Sequence, residues 1–310
     1  MAWQFDVPSG TFKNNALSAD IRMSAIANAQ FMPFVDTEGG FGRRSGETIN
    51  ITRVGQLPLA GKVAENVNLP DGRPAIDTVP ITVSEWGYKI PLTAKEQLLA
   101  YFDMRDKLQQ ALRNQLRLTM DKAAADAYKQ TQIRAAVNAG TLTITTNGVF
   151  GATTSRNLNV SDLRTINDYM KATLLTPTFP DGDYTAIMSV KAARGILSDT
   201  EFKDWLSPTN PTPFIAGELP RRVEGFRIIV SNHASALANA VGTGGVAGEA
   251  IFFGPDAVAM ASAMDPELRV GMTRDLGRFQ DIGWLGLFEI GNVWPEGTPG
   301  YGRTIYFGSL

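Results

Sequence analysis

TAKEQLLAYFDMRDKLQQALRNQLRLTMDKAAADAYKQTQIR, residues 93–134, runs without a proline or a glycine. It opens on Thr93-Ala94-Lys95-Glu96, a capping box. The Thr93 hydroxyl accepts from the Glu96 amide, and the Glu96 carboxylate reaches back to the Thr93 amide. Leu108, Leu112 and Leu116 recur at four-residue spacing, followed by Thr119, Ala123 and Ala127. The pattern predicts one helix with a narrow apolar stripe, bent near Phe102-Asp103. At a rise of about 1.5 Å per residue it spans about 60 Å, longer than most globular helices. Such a helix is a spine, and the stripe covers only one side of it.

Upstream, residues 47–54 and 78–86 alternate apolar and polar side chains and are rich in β-branched residues, which predicts two strands. Residues 56–77 between them hold Pro58, Gly61, Pro70, Gly72 and Pro74, so the whole reads as a long hairpin with an irregular tip. A two-stranded hairpin is marginal alone in water. Its length predicts that it reaches onto a neighbouring copy. Before it, Gly39-Gly40-Phe41-Gly42 breaks the chain, and residues 1–35 scatter Phe5, Phe12, Leu17, Ile21, Phe31 and Phe34 among polar positions. That is an arm too small for a core of its own, with a short helix over residues 18–30.

Downstream, Asn147-Gly148 marks a hairpin turn between residues 141–145 and 149–152. A helix fits residues 161–175 and a shorter one residues 191–198. Buried strands fit residues 184–190 and 226–230. Pro208, Pro211 and Pro213 mark a loop, and residues 241–248 a glycine-rich one. Strands then dominate, over residues 250–253, 257–263, 268–273, 279–290 and 304–307. The class is α+β.

The chain has 310 residues, 44% of them hydrophobic, enough for a substantial core. Its 29 Lys and Arg against 31 Asp and Glu leave a net charge of −2, which gives no general attraction to nucleic acid or anionic membrane. There is no cysteine, which removes thiolate catalysis and Cys-based zinc sites. The first residues resemble no secretory signal, and no stretch reaches the apolar length of a membrane span, so a soluble protein is expected.

Chemistry is sparse. The single histidine, His233, would have to serve any Ser-His-Asp triad, yet no Gly-x-Ser-x-Gly elbow accompanies it, and an exposed strand-end histidine is expected. Asp181-Gly182-Asp183 resembles part of a calcium loop but lacks its later ligands, so both carboxylates read as turn residues. The run from Gly242 to Gly248 lacks the Lys-Ser or Lys-Thr of a phosphate loop. The pairs Glu47 with Glu65 and Asp103 with Asp106 show no sign of converging in a cleft. Arg43 and Arg44, beside glycines, read as a solvated or interface turn. No metal, cofactor or catalytic residue is expected.

The order of elements is arm, long hairpin, capped spine helix, compact α+β region, long strands. It resembles that of the major capsid proteins of tailed bacteriophages, which share the Hong Kong 97 fold. Several phrases are similar to the enquatrovirus-type branch. They are Gly46-Glu47-Thr48-Ile49, Trp86-Gly87-Tyr88 before Leu92-Thr93, Gly217-Glu218-Leu219, Val223-Glu224-Gly225-Phe226-Arg227-Ile228-Ile229, and Phe253-Gly254-Pro255-Asp256-Ala257. Lys191-Ala192 stands where that pattern favours His-Pro, and Leu219-Pro220 where a second glycine is common.

The resemblance implies an N-terminal arm (1–36) and an extended hairpin loop (46–92). It further implies a peripheral domain with the spine (37–45, 93–157 and 263–295) and an axial domain (158–262 and 296–310). It implies a shell subunit that assembles with itself into hexamers and pentamers around double-stranded DNA, in a virion built in the host cytoplasm. A portal, a separate scaffold and a decoration protein are its implied partners. The arm's aromatics argue against a removable pro-segment, hence for the separate scaffold. Candidate intersubunit contacts are Arg43, Arg44, Lys62, Glu65, Arg73 and Asp77. Some relatives bond an extended-loop lysine to a neighbour's asparagine. Lys62 and Asn292 are the corresponding types, but Lys62 reads first as a solvated lysine. An encapsulin-like compartment shell and an α+β enzyme with a carboxylate site are the alternatives.

Overall fold

The computed structural model describes residues 26–38, 46–63, 65, 68, 69, 71–99, 104–203, 220 and 222–310. Most of the arm and its helix, the glycine turn with Arg43 and Arg44, the bend near Phe102 and the proline-rich loop lie outside the described residues.

The capping box is made: the Glu96 amide donates to Thr93 Oγ1 at 3.1 Å, and the Thr93 amide to Glu96 Oε2 at 3.0 Å. It starts helix α1, Ala94–Leu99, and the spine proper is α2, Met104–Lys129. The spine ends earlier than the pattern predicts. The Thr131 hydroxyl donates to the Thr304 carbonyl at 2.8 Å, which draws the chain out of the helix and into a sheet. Leu112 is buried on the stripe, with Leu108 and Leu116 packed beside it.

The stripe lies on a four-stranded sheet in the order β1-β11-β12-β4, formed by β1 (Asp36–Glu38), β4 (Ser84–Thr93), β11 (Val258–Val270) and β12 (Phe279–Asn292). Ile282, Trp284, Phe288 and Ile290 alternate along β12 toward the helix, and Trp284 Nε1 donates to Gln115 Oε1 at 3.0 Å. The two strands expected over residues 257–263 and 268–273 are one, β11, which runs only over Val258–Val270. Its register with β12 shifts between Ser262 and Glu267, around Pro266, which cannot donate to the ladder.

The strand expected over residues 78–86 is in turn two. β3 (Ile76–Thr82) pairs antiparallel with β2 (Thr48–Val54) as the hairpin, and β4 crosses to the other sheet. Val83 is the corner, its amide donating to the Glu47 carbonyl at 2.8 Å. Alternation continues through the corner, so it could not reveal the change of partner.

A seven-stranded sheet holds the second core, in the order β6-β5-β13-β10-β7-β9-β8. Its strands are β5 (Arg134–Asn138), β6 (Thr141–Thr145), β7 (Tyr184–Ser189), β8 (Arg222–Val223), β9 (Phe226–Ser231), β10 (Ala250–Phe253) and β13 (Thr304–Phe307). The central strands β7, β10 and β13 are buried at every position, as apolar runs covered on both faces are. Helices α3 (Val160–Asp168) and α4 (Val190–Ser198) contribute Leu163, Ile166 and Ile196 to this core.

Two expectations are corrected here. The hairpin turn is Ala139-Gly140, both at positive φ (47° and 84°), and it joins β5 to β6. Asn147-Gly148 instead folds back on the spine's exit, the Gly148 amide donating to the Gln132 carbonyl at 2.8 Å. The helix expected over residues 161–175 is α3 followed by a wider π turn, Tyr169–Thr173.

Candidate assembly surfaces

The hairpin's base is tied to its own chain. Along β2 the inward parity holds Ile49, Ile51 and Arg53. Ile81 of β3 packs with Ala259, Ala261 and Val293 in a small third core. Arg53 is buried, donates to the Val293 carbonyl at 2.9 Å and Glu296 Oε2 at 2.7 Å, and is also paired with Asp77. Its guanidinium lies over the rings of Trp294 and Tyr301, 5.3 and 5.6 Å from their centroids. The Glu296 hydrogen bond, before the Asp77 one, holds the guanidinium above its ordinary range, and Arg53 in turn depresses the Asp77 carboxyl. Asp77 is therefore turned back onto its own chain.

Beyond Gly55 and Ala75 the hairpin meets water. Lys62, Glu65 and Arg73 are exposed there, together with Leu57, Leu59 (95% exposed), Val63 and Leu69. Charges are expected at this tip, but its described apolar side chains are uncovered as well.

A second uncovered apolar element closes the β11–β12 ribbon. Met272 is 91% and Leu276 104% exposed. Asp275, Leu276 and Gly277 all have positive φ (52°, 53° and 89°), and for the first two this left-handed backbone costs about 1–3 kcal/mol each. The turn is held by paired backbone hydrogen bonds between Arg274 and Phe279 (2.8 and 3.2 Å) and by the Arg278–Asp275 and Arg274–Asp281 ion pairs.

The possible chemical centres resolve into structural ones. His233 is buried, contrary to expectation, and its Nδ1 lies 3.1 Å from Asp121 Oδ2. Asp121, on the spine and fully buried, accepts at Oδ1 from the amides of Gln30 and Phe31 (2.7 Å each) and Met32 (3.4 Å). The pair thus clamps the arm onto the spine and is sealed from substrate. The Tyr128 hydroxyl donates to the Phe34 carbonyl at 2.9 Å, a second tie on the same segment. Burial raises the Tyr128 hydroxyl well above its usual range. Asp181 and Asp183 pair with Arg222, as turn carboxylates do. The Gly242 loop packs against the Thr154 carbonyl, where a Cβ would come within 2.3 Å, and the Lys191 ammonium bonds the Gly245 carbonyl, so it offers no phosphate cradle. Asn292 is buried at the end of β12, paired with Val258 of β11, and Glu47 and Glu65 stand exposed on the hairpin. Among the described residues no group of His, Cys, Asp and Glu could hold a metal ion.

No family model and no curated protein matches the chain. Solved structures do, over nearly its whole length. The capsid asymmetric unit of cyanophage Pam1 superposes with a TM-score of 0.71 at 15% identity, covering 100% of this chain and 99% of that one. The capsid of cyanophage P-SCSP1u gives 0.68 at 13% identity, covering 96% and 93%. That of Helicobacter pylori bacteriophage KHP30 gives 0.65 at 14% identity, covering 96% of each. The fold is the Hong Kong 97-type phage capsid fold, as the order of sequence elements implied.

Proposed function

We propose that the chain is the major capsid protein of a tailed bacteriophage, a structural subunit that closes into an icosahedral head around double-stranded DNA. The observation that carries this reading is a capsid fold shared end to end with phage shells, on a protomer whose hairpin tip and ribbon turn expose leucines. Exposed apolar ends of this kind need neighbours to cover them. On this reading residues 46–92 form the extended loop, with Lys62, Glu65 and Arg73 at the contact with the next copy. The spine and the four-stranded sheet form the peripheral domain and the seven-stranded sheet the axial one, so residues 134–145, expected in the peripheral domain, are assigned to the axial one with β5 and β6. A portal, a separate scaffold and a decoration protein complete the head in the host cytoplasm. The buried His233–Asp121 pair supports a role without catalysis. The matched structures are phage capsids, which favours this reading over a cargo compartment.

The test replaces residues 56–74 with Asn-Gly. Gly55 and Ala75 remain to close the ladder and Asp77 remains on Arg53, and two-residue Asn-Gly turns match strand twist. The variant should melt as the parent does but stay monomeric or form small oligomers by sizing chromatography and electron microscopy. Regular shells from the variant would remove the hairpin's intersubunit role. A parent that stays monomeric under all assembly conditions, scaffold included, would remove the capsid reading.

A further inference from the structure

In three places an Asn or Asp precedes a Gly: Asp71-Gly72, Asn147-Gly148 and Asp181-Gly182. A glycine nitrogen has no Cβ beside it, so it can reach the side-chain carbonyl carbon of the preceding residue and close a five-membered succinimide. In a flexible chain asparagine closes faster than aspartate, because a neutral amide is a better electrophile than an ionised carboxylate. Sequence alone therefore points to Asn147. The fold reverses that order. The Gly148 amide donates to the Gln132 carbonyl, and Asn147 Oδ1 accepts from the Val149 amide at 3.1 Å, so both reacting groups are held. The Gly182 amide donates to the Phe179 carbonyl at 2.8 Å, and the Asp181 carboxylate pairs with Arg222. Reaction at either place needs the local structure to open first. Asp71, on the hairpin tip, is exposed, and among the described residues neither its carboxylate nor the Gly72 amide has a hydrogen-bond partner. Chain neighbours apart, a Cβ on Gly72 would meet nothing closer than Pro58 Cγ at 4.0 Å.

We propose that Asp71-Gly72 is the site at which the unassembled subunit forms isoaspartate. The Gly72 nitrogen bonds to Cγ of the protonated Asp71 carboxyl and gives up its proton, and water leaves as a Cγ–O bond breaks. A second water then opens the ring. Attack at the Asp71 main-chain carbonyl breaks its bond to the Gly72 nitrogen and leaves the chain running through Cγ, whereas attack at Cγ restores aspartate. The steps balance without oxidant or reductant, and the mass of the chain is unchanged. The product has one more methylene in its backbone and a displaced carboxylate. Under the shell reading above, the tip carries Lys62, Glu65 and Arg73 onto the next copy, so a tip reshaped in this way fits poorly, and assembly covers the dipeptide. The modification then sorts aged free copies from fresh ones. That consequence rests on the shell reading, and the site itself does not.

The test ages the purified full chain at neutral pH. Each site is read by a protease that cuts before aspartate but not before isoaspartate, and by mass spectrometry of the peptides, in which deamidation of Asn147 adds mass. Isoaspartate at residue 71 should exceed that at residues 147 and 181 by at least about tenfold. In denaturant the order should invert, with Asn147 first. Equal or faster reaction at Asn147 in the folded chain overturns the proposal. Asp71 leading in denaturant as well also overturns it, since the fold would then not be what selects the site. Gly72→Ala has room for its methyl group and should keep the melting temperature while suppressing reaction at residue 71, and a parental rate there counts against the site. Particles assembled from aged protein should hold several times less isoaspartate at residue 71 than the subunits left outside, and an equal share overturns the consequence for assembly. A parent that forms no particles defeats the shell reading alone, because the measurements on the free chain need no shell.

Discussion

The seven-stranded sheet and the β11–β12 ribbon use the same kinds of residue to opposite ends. In the sheet, Phe226, Phe252 and Phe307 are fully buried, and every position of its central strands is covered from within the chain. In the ribbon, the half that lies on the spine is equally closed, but its far turn carries Met272 and Leu276 into water. The hairpin repeats the division, with a base locked by Arg53 and Ile81 and an uncovered leucine-rich tip. A protomer built this way is stabilised by one region and committed to neighbours by the other. Damage to the first should unfold the subunit, and damage to the second should leave a folded subunit that does not assemble.

Substitutions can break or sharpen that division. Leu112→Pro on the closed side interrupts the stripe and removes an interior hydrogen bond, at a cost of about 3 kcal/mol or more together with the lost packing. Circular dichroism and thermal melting should show a chain that does not fold. Phe252→Ala, in the middle of the sheet, should lose about 3–5 kcal/mol by denaturant titration. Arg53→Met keeps much of the volume but leaves Glu296 and Asp77 without their cation. Both carboxylates are partly in water, so a loss of about 2 kcal/mol is expected, below the roughly 3–5 kcal/mol of a fully buried pair. Leu59→Ser on the open side should change protomer stability by no more than about 0.5 kcal/mol while reducing assembly. A large loss of stability there would mean that the tip packs on its own chain.

The smallest effect concerns the arm. Asp36 is exposed as a residue, but partial desolvation of its carboxyl, then the Asp256 carboxylate beside it, raises its pKa above the usual value, with Glu38 adding to the shift and Arg303 opposing it. A carboxyl raised in the folded state favours folding when protonated, and that contribution is lost as pH rises through its folded value. Asp36→Asn should therefore stabilise the protomer relative to the parent at pH 6.5 more than at pH 4, in paired melting curves. The reverse order would contradict the pairing.

Much of this architecture was legible because it rests on local chemistry. The Thr93–Glu96 box, the 250–253 and 304–307 runs and the alternation on either side of the hairpin each carry their structure in neighbouring residues. What failed depended on distant partners. Val83 turns a corner that only Glu47 defines, and Pro266 marks a bulge inside a strand when it reads alone as a break. His233 is buried because Asp121 on the spine and the arm close over it, and no window around residue 233 contains either. Arg53 could have been found, since it shares the inward parity of Ile49 and Ile51 while Val54 faces out. The assembly surfaces were legible only as an excess, more apolar side chains at the tips than the protomer covers.

The place of β13 has a consequence in time. Residues 304–307 lie between β5 and β10, at the middle of a sheet whose other strands all precede them in the chain. During synthesis β5, β6, β7, β9 and β10 emerge with their central slot vacant, and the parallel pairing of β13 with β5 spans well over a hundred residues. Contacts of such long separation form slowly. Until the slot is filled the nascent subunit shows two open strand edges, a hazard for indiscriminate pairing. Completion of the sheet thus waits for β13, the last of its seven strands in sequence order.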